Sequence, residues 1–291
     1  MKIFENFNLS NLCSFGIGGA ARYLVNIKTK DDLLEALALA SSQGLPFFVL
    51  GGGSNVLLPD EGMNAVVLRM MNSQITLKSP QELALESGAN WTQIMSFCKT
   101  NEIYGLETFS GLPGTIGGAI WGNAGCHGVE TKDVLLEVEV FDTKIQKFKI
   151  LKLDEIDFDY RKSSFKHLDN LVIWRCLLKV SNNPNDKTAD PNDLYQFRQD
   201  KQPQGLTTGS FFKNPPGHKA GQLIDQSGLK GFRIGNAQVS TKHANFFMNL
   251  GGASAKDVMS LAEEVQRVVE DKQGVCLEKE VLEIKANGEL G

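Results

Sequence analysis

Two glycine-rich runs constrain this chain more than any other feature. Leu50 leads straight into Gly51-Gly52-Gly53-Ser54-Asn55, and a longer stretch rich in glycine fills residues 110–125. Consecutive glycines let backbones approach closely and let neighbouring N–H groups turn toward one point. The first run closes a β-α-β unit. Arg22 to Ile27 reads as a strand, and Thr29 caps a helix with Asp32 as its capping-box partner. Leu33, Leu34, Ala36, Leu37 and Ala40 give that helix an apolar side, Gly44 ends it, and Phe47 to Leu50 is a short buried strand. The spacing is not the G-x-G-x-x-G fingerprint, and Val56-Leu57-Leu58-Pro59 cannot open a long helix. Alone, the run is equally a tight turn between two sheets. The second stretch shifts that balance, because long irregular loops are usually functional. Two glycine loops on one sheet system can hold the two ends of a flat dinucleotide.

Further along, Ala65 to Glu86 reads as strand-turn-strand, and Asn90 to Glu102 as a helix with Trp91, Ile94, Met95 and Cys98 on one side. Strands are expected over Val134–Phe141, Phe148–Leu151 and Leu171–Val180. Ser181 to Pro191 is a polar linker. Ala220 to Gln226 is a short helix. Ser254, with Asp257, caps a longer one whose apolar side carries Val258, Leu261, Val265, Val268 and Val269. Val275 to Ile284 alternates like a strand, which puts Glu278, Glu280, Leu282 and Ile284 on one face.

At 291 residues the chain exceeds a single core. A formal charge of −4 with no basic run argues against a nucleic-acid partner. The five cysteines are scattered and lack metal spacing, which suits reduced thiols. The four histidines share no ligand spacing either, so no metal is expected. No window has the uncharged length of a membrane span, and the N-terminus lacks an apolar signal core, which places the protein in the cytoplasm.

Several residues carry chemistry by type. Gly209-Ser210-Phe211 presents a hydroxyl just ahead of Lys213 and Asn214. Tyr160-Arg161-Lys162-Ser163-Ser164-Phe165-Lys166 is cationic with an aromatic lead; Arg161 suits a carboxylate or developing negative charge, but the run alone reads more readily as a solvated loop end. Arg198 and Lys201 precede the serine; they read equally as a helix-end charge pair. Glu280, if buried, would have a raised pKa and suit proton handling; if exposed, it is a surface partner for Lys279. His243, ahead of Phe246-Phe247, lies where it can line a site.

In order along the chain, these residues resemble one family. Its runs are Ser14-Phe15-Gly16-Ile17-Gly18-Gly19-Ala20, Leu50 to Asn55, Gly111 to Gly118, Gly122-Asn123-Ala124-Gly125 and Tyr160-Arg161-Lys162-Ser163. They continue through Gly209 to Pro215, Ala220 to Asp225, His243-Ala244-Asn245 and Leu277 to Val281. The chain resembles the UDP-N-acetylenolpyruvoylglucosamine reductases (MurB), flavoenzymes of peptidoglycan precursor synthesis. The resemblance implies an α+β protein with an FAD-binding fold of the vanillyl-alcohol-oxidase (PCMH) type in two subdomains, plus an α+β substrate-binding domain. It implies divisions at 1–69, 70–198 and 199–274, with the strand at about 275–291 returning to the first. It implies bound FAD, NADPH as hydride donor, and a UDP-sugar enolpyruvyl ether as substrate, in a monomer. Ser210 falls on the family's proton donor, and Arg161 and Glu280 on its active-site arginine and glutamate. Cofactor contacts are expected from Gly51, Gly52, Gly53, Ser54, Asn55, Pro113, Gly114, Thr115, Gly117, Gly118, Asn123, Ala124 and Gly125. Substrate contacts are expected from Lys201, Asn214, Tyr160 and His243. The chain looks like the short form, without the inserted loop whose tyrosine closes over the substrate. Cys126-His127 also replaces the pair usual after Asn-Ala-Gly. The alternatives are an FAD-dependent oxidase or dehydrogenase of the same cofactor fold acting on another small substrate, and a nucleotide-binding module without catalysis.

Overall fold

The computed structural model describes all residues, 1–291. The first layer contains β1 (Ile3–Asn8), β2 (Ala20–Ile27), helix α1 (Lys30–Gln43), β3 (Phe47–Leu50), β4 (Val56–Leu57) and β5 (Met63–Met70). Its sheet runs β1-β2-β5-β3, with β5 parallel to both β2 and β3. The expected β-α-β unit is present, with β5 inserted between its two strands. Ala65-Val66-Val67-Leu68 is buried without interruption, as a strand covered on both faces requires. Thr29 and Asp32 form the capping box of α1, and Gly44 closes it in the left-handed region at φ +62°.

The second layer contains β6 (Ile75–Ser79), β7 (Glu82–Glu86), α2 (Trp91–Thr100), α3 (Ile116–Gly122), β8 (Gly125–Cys126), β9 (Val129–Glu130), β10 (Leu135–Asp142) and β11 (Lys147–Lys152). It ends with the hairpin β12 (Phe158–Asp159) and β13 (Lys162–Ser163), then β14 (Leu171–Lys179). Its main sheet is antiparallel, in the order β11-β10-β14-β7-β6. Two expectations need correction here. Ala65–Glu86 holds three strands rather than two, because Asn72 and Ser73 break the first run from β6. The stretch 110–125 is also not wholly irregular. Thr115 caps α3 with its side chain, and the helix ends where Asn123 turns left-handed at φ +44°.

The remainder contains α4 (Pro191–Lys201), α5 (Ala220–Gln226), the small antiparallel sheet β15 (Arg233–Ile234), β16 (Ala237–Val239) and β17 (Phe247–Asn249), then α6 (Ala255–Gln273) and β18 (Leu282–Glu283). Val258, Leu261, Ala262, Val265 and Val269 of α6 are fully buried. The valines and the leucine each contribute roughly 1.5–3 kcal/mol of apolar burial. They join Phe211, Phe212 and Phe247 in one continuous core with Leu24, Met63 and Val67 of the first sheet.

The expected strand from Val275 to Ile284 is corrected more sharply. Only β18 is regular, and the buried positions are Leu277, Val281 and Ile284, not alternate ones. The segment changes partners part-way. Lys213 N–H donates to Glu278 C=O at 2.8 Å and Glu280 N–H to Phe211 C=O at 2.8 Å, whereas Leu282 pairs in parallel with Val56 of β4. Two neighbours in different directions break a period of two.

Candidate active site

The two glycine runs touch. A Cβ on Gly52 would lie 2.7 Å from Gly114 Cα, and one on Gly51 would lie 2.7 Å from Thr115 Oγ1. Gly51, Gly52, Gly114 and Thr115 line a cleft of about 350 Å³ together with Asn90 and Gln93. The backbone N–H groups of residues 51–55 donate to no acceptor within the chain. Glycine backbone packed too closely for side chains, with amides left to donate, is a donor set suited to a diphosphate. A hollow of about 420 Å³ lies elsewhere, against Leu277 and Leu290. Its lining carries the carboxylates of Glu278 and Glu283, which repel a diphosphate, so size does not pick the site.

Among the other expected cofactor residues, Ser54 meets the second loop, since a Cβ on Gly114 would run into its hydroxyl. Asn55 Nδ2 donates to the Glu280 carbonyl at 3.1 Å. A Cβ on Gly117 would meet Ser87 Cβ at 2.8 Å, while Pro113 and Gly118 are exposed. Asn123 is fully buried. Its amide nitrogen donates to Glu130 Oε2 at 3.0 Å and to the Asp159 carbonyl at 2.9 Å, and its Oδ1 accepts from Lys132 N–H at 3.2 Å. It therefore braces the β12–β13 hairpin with side-chain groups already satisfied by protein. Ala124 C=O accepts from the Thr131 hydroxyl at 2.7 Å, and Gly125 C=O from Arg161 Nη2 at 2.9 Å.

That hairpin presents Tyr160 and Arg161 at its turn. Arg161 is left-handed at φ +58°. Its Nε donates to Glu280 Oε1 at 2.9 Å, Nη1 stands 3.8 Å from Glu130 Oε1, and its guanidinium lies over the Tyr160 ring at 4.9 Å. Burial pushes the Glu280 carboxyl above its ordinary range, and Arg161 opposes the shift without cancelling it. Parity would place Glu278 beside Glu280. Instead the Glu278 side chain is 68 % exposed and pairs with Lys213, against 19 % for Glu280.

Ser210 is half-buried, follows Gly209 at φ +81°, and has no hydrogen-bond partner for its hydroxyl in the chain. A non-glycine residue at position 209 would be strained by that φ. Phe211 and Phe212 pack on Phe247, the first stacked at 4.2 Å. Through the backbone pairing of 211–213 with 278–280, Ser210 and Glu280 are carried on adjacent segments. Tyr160 OH accepts from Asn214 N–H at 3.5 Å, and Asn214 Oδ1 accepts from the first N–H of α5 at 3.0 Å. Tyr160, Arg161, Asn214 and Glu280 thus form one cluster. His243 sits off to the side, half-buried, its Nδ1 accepting from Asn245 N–H at 3.3 Å and its ring against Phe246. Burial lowers its pKa. Lys201 is the exposed last residue of α4 and forms no ion pair.

Three neighbours that the sequence showed only as members of longer runs make the decisive local contacts. Arg198, one turn before Lys201, is the cation that meets the second loop: its Nε donates to Ser110 C=O at 3.2 Å. Lys166 donates to Arg161 C=O at 2.8 Å. Asn245 does most for Ser210. Its carbonyl accepts from Phe211 N–H at 2.7 Å, while its side chain accepts from Phe212 N–H at 3.0 Å and donates to Phe212 C=O at 2.8 Å. An amide side chain here replaces an adjoining strand, which the His-Ala-Asn triplet hinted at without saying which member mattered. Asn245→Ala strands both polar groups of a buried residue and should cost about 2–4 kcal/mol. Urea unfolding measures this, and a loss near zero would remove the clamp.

The chain is 37% identical over 281 residues to the UDP-N-acetylenolpyruvoylglucosamine reductase of Caldanaerobacter subterraneus subsp. tengcongensis, covering 96% of this chain and 93% of that protein. The chain belongs to the UDP-N-acetylenolpyruvoylglucosamine reductase family. The Geobacillus kaustophilus reductase is 38% identical over 274 residues, covering 94% of this chain and 89% of that protein. Residues 201–284 match the C-terminal domain described for this family, and residues 21–144 match the FAD binding domain. The crystal structure of the Thermus caldophilus reductase (MurB) superposes with a TM-score of 0.81 at 33% identity, covering 97% of this chain and 98% of that one. The α+β architecture with a vanillyl-alcohol-oxidase-type FAD-binding fold is therefore as expected, and the chain is an FAD-dependent oxidoreductase. No helix is long and apolar enough to cross a membrane.

Proposed function

We propose that the chain uses NADPH to reduce the enolpyruvyl group of UDP-N-acetylglucosamine enolpyruvate to the lactyl ether of UDP-N-acetylmuramate, in the cytoplasm, as a step of peptidoglycan precursor synthesis. We assign residues 1–69 and 70–198 to cofactor binding and 199–274 to substrate binding. The observation that carries this reading is the Arg161–Glu280 pair, held at 2.9 Å beside the segment that bears Ser210. Gly51 to Asn55 and Gly114-Thr115 are the groups that would hold the FAD diphosphate. When bound, FAD supplies the two-electron transfer that no side chain here can perform.

The protein's own part is electrostatic and protonic. As the double bond is reduced, negative charge grows on the carbon bearing the carboxylate and spreads into that group. Arg161 is the cation placed to offset it. Glu280, with its raised pKa, suits a carboxyl that shares or passes a proton with the substrate carboxylate. Ser210 Oγ delivers the proton to carbon. Lys201, Asn214, Tyr160 and His243 are assigned to grip and orient the rest of the substrate. Purified protein is expected to be yellow, to bleach with NADPH, and to recover its colour anaerobically on adding the enolpyruvyl substrate. Protein that bleaches but does not recover with that substrate would sink the assignment while leaving the flavin intact.

A further inference from the structure

We infer that Lys166 is a positioning residue for the Arg161–Glu280 pair, its ammonium fixing the backbone at Arg161 and adding to the positive field around the Glu280 carboxyl. The inference rests on the reading that this pair serves the substrate. Lys166 is half-buried at the end of a single helical turn, Ser164–Lys166. Two contacts set its place. Its Nζ donates to Arg161 C=O at 2.8 Å and lies over the Trp121 ring, 5.0 Å from the centroid. The neighbouring Ser163 hydroxyl donates to Trp121 C=O at 2.6 Å, which fastens the turn to α3. Arg161 holds a left-handed φ that residues other than glycine rarely adopt. A charged donor on its carbonyl holds that conformation, and with it the direction of the guanidinium.

The electrostatics agree with the geometry. Glu280 faces Arg161 and Lys166 from the hairpin side and Lys213 from the serine-bearing segment, and each favours its ionised form against burial. Lys166 is pushed down by burial and by Lys213 and Lys162, while Glu280 and Glu278 pull it up. Glu130 meets Arg161 from β9 at 3.8 Å. The two groups therefore sit in each other's field. Removing the positive charge at Lys166 must make the Glu280 carboxylate harder to form.

The test reads Glu280 directly in the holoenzyme. Carboxyl ¹³C resonances of labelled glutamate are titrated, and the Glu280 signal is identified by its loss in Glu280→Gln. Lys166→Gln keeps a donor for the Arg161 carbonyl but removes the charge, and should raise the Glu280 titration by about one pH unit. Lys166→Arg keeps the charge and should leave the titration close to that of the unaltered enzyme. The pH profile of substrate reduction should move upward in Lys166→Gln by the same amount. An unmoved titration in Lys166→Gln, with flavin content retained, overturns the inference. Should Lys166→Gln not retain flavin, an upward shift of about one pH unit in Lys166→Arg overturns it, because the charge is then not what counts. Full substrate reduction by Glu280→Gln would instead defeat the catalytic reading of Glu280, while leaving any titration shift standing.

Discussion

In Ser210→Ala, NADPH should still bleach the flavin at the normal rate, while recovery of colour with the enolpyruvyl substrate slows by about 100- to 10,000-fold, the range a positioned proton donor contributes. The asymmetry follows from what the serine touches. Its hydroxyl has no partner within the chain, so alanine breaks no internal bond. The backbone around it is pinned on both sides. Phe211 N–H is held by Asn245 C=O at 2.7 Å, and Phe211 C=O by Glu280 N–H at 2.8 Å. Those bonds survive the substitution, so thermal stability and flavin content should barely change. A serine hydroxyl is a weak acid, and it protonates carbon only when a carbanion-like centre is held against it with its charge already offset. Arg161→Met should therefore slow the same half-reaction. Stopped-flow absorbance separates the two half-reactions, and unimpaired recovery in Ser210→Ala would remove Ser210 from the proton path.

The second large effect is expected at the contact between the glycine runs. In Gly52→Ala the new Cβ would lie 2.7 Å from Gly114 Cα, 3.2 Å from its carbonyl carbon and 3.4 Å from Thr115 N. All three are backbone atoms, so no rotamer change relieves the clash and one loop must move. Overpacking of this kind costs about 1–3 kcal/mol. Because the strain falls on the cradle itself, it should appear as weaker FAD binding, about ten- to a hundredfold in Kd. The internal control is Gly122→Ala, where the new methyl meets nothing within 4 Å. It should bind FAD normally. Fluorescence titration of the deflavinated proteins with FAD measures both, and equal affinities for the two variants would show that the close approach at Gly52 is not what shapes the cradle.

Much of the fold was legible because its signals are local. The capping boxes read for α1 and α6 are short-range hydrogen bonds between a cap and the residue three places on, and both form. The apolar series of α6 is buried as read at Val258, Leu261, Val265 and Val269, with Val268 partly buried at its edge. Where reading failed, a local pattern met two competing neighbours. Alternation from Val275 to Ile284 describes a strand with one partner, but the segment pairs first with Phe211–Lys213 and then with β4. Glycine content between 110 and 125 suggested irregularity, yet a short helix, α3, forms within it behind an N-cap at Thr115. At the site, residue types left Arg161, Ser210 and Glu280 open as candidates, and the family resemblance singled them out. Residue types gave no reason to prefer Asn245 over His243, or Arg198 over Lys201, because those choices depend on which side chain reaches a backbone group far away in the chain.

By itself the sequence determined α1, α2, α5 and α6, most of the longer strands, the two glycine loops and the ordered runs that mark the family. These rest on caps, periodicity and backbone permissiveness within a few residues. The tertiary structure alone decided which groups meet: Gly52 with Gly114, Arg161 with Glu280, Asn245 with Phe212, Lys166 with the Arg161 carbonyl. The physical reason is range. Arg161 and Glu280 have a burial-raised carboxyl and a left-handed arginine between them only because two separately anchored segments, the β12–β13 hairpin and the stretch paired with Phe211, are packed into one water-poor corner.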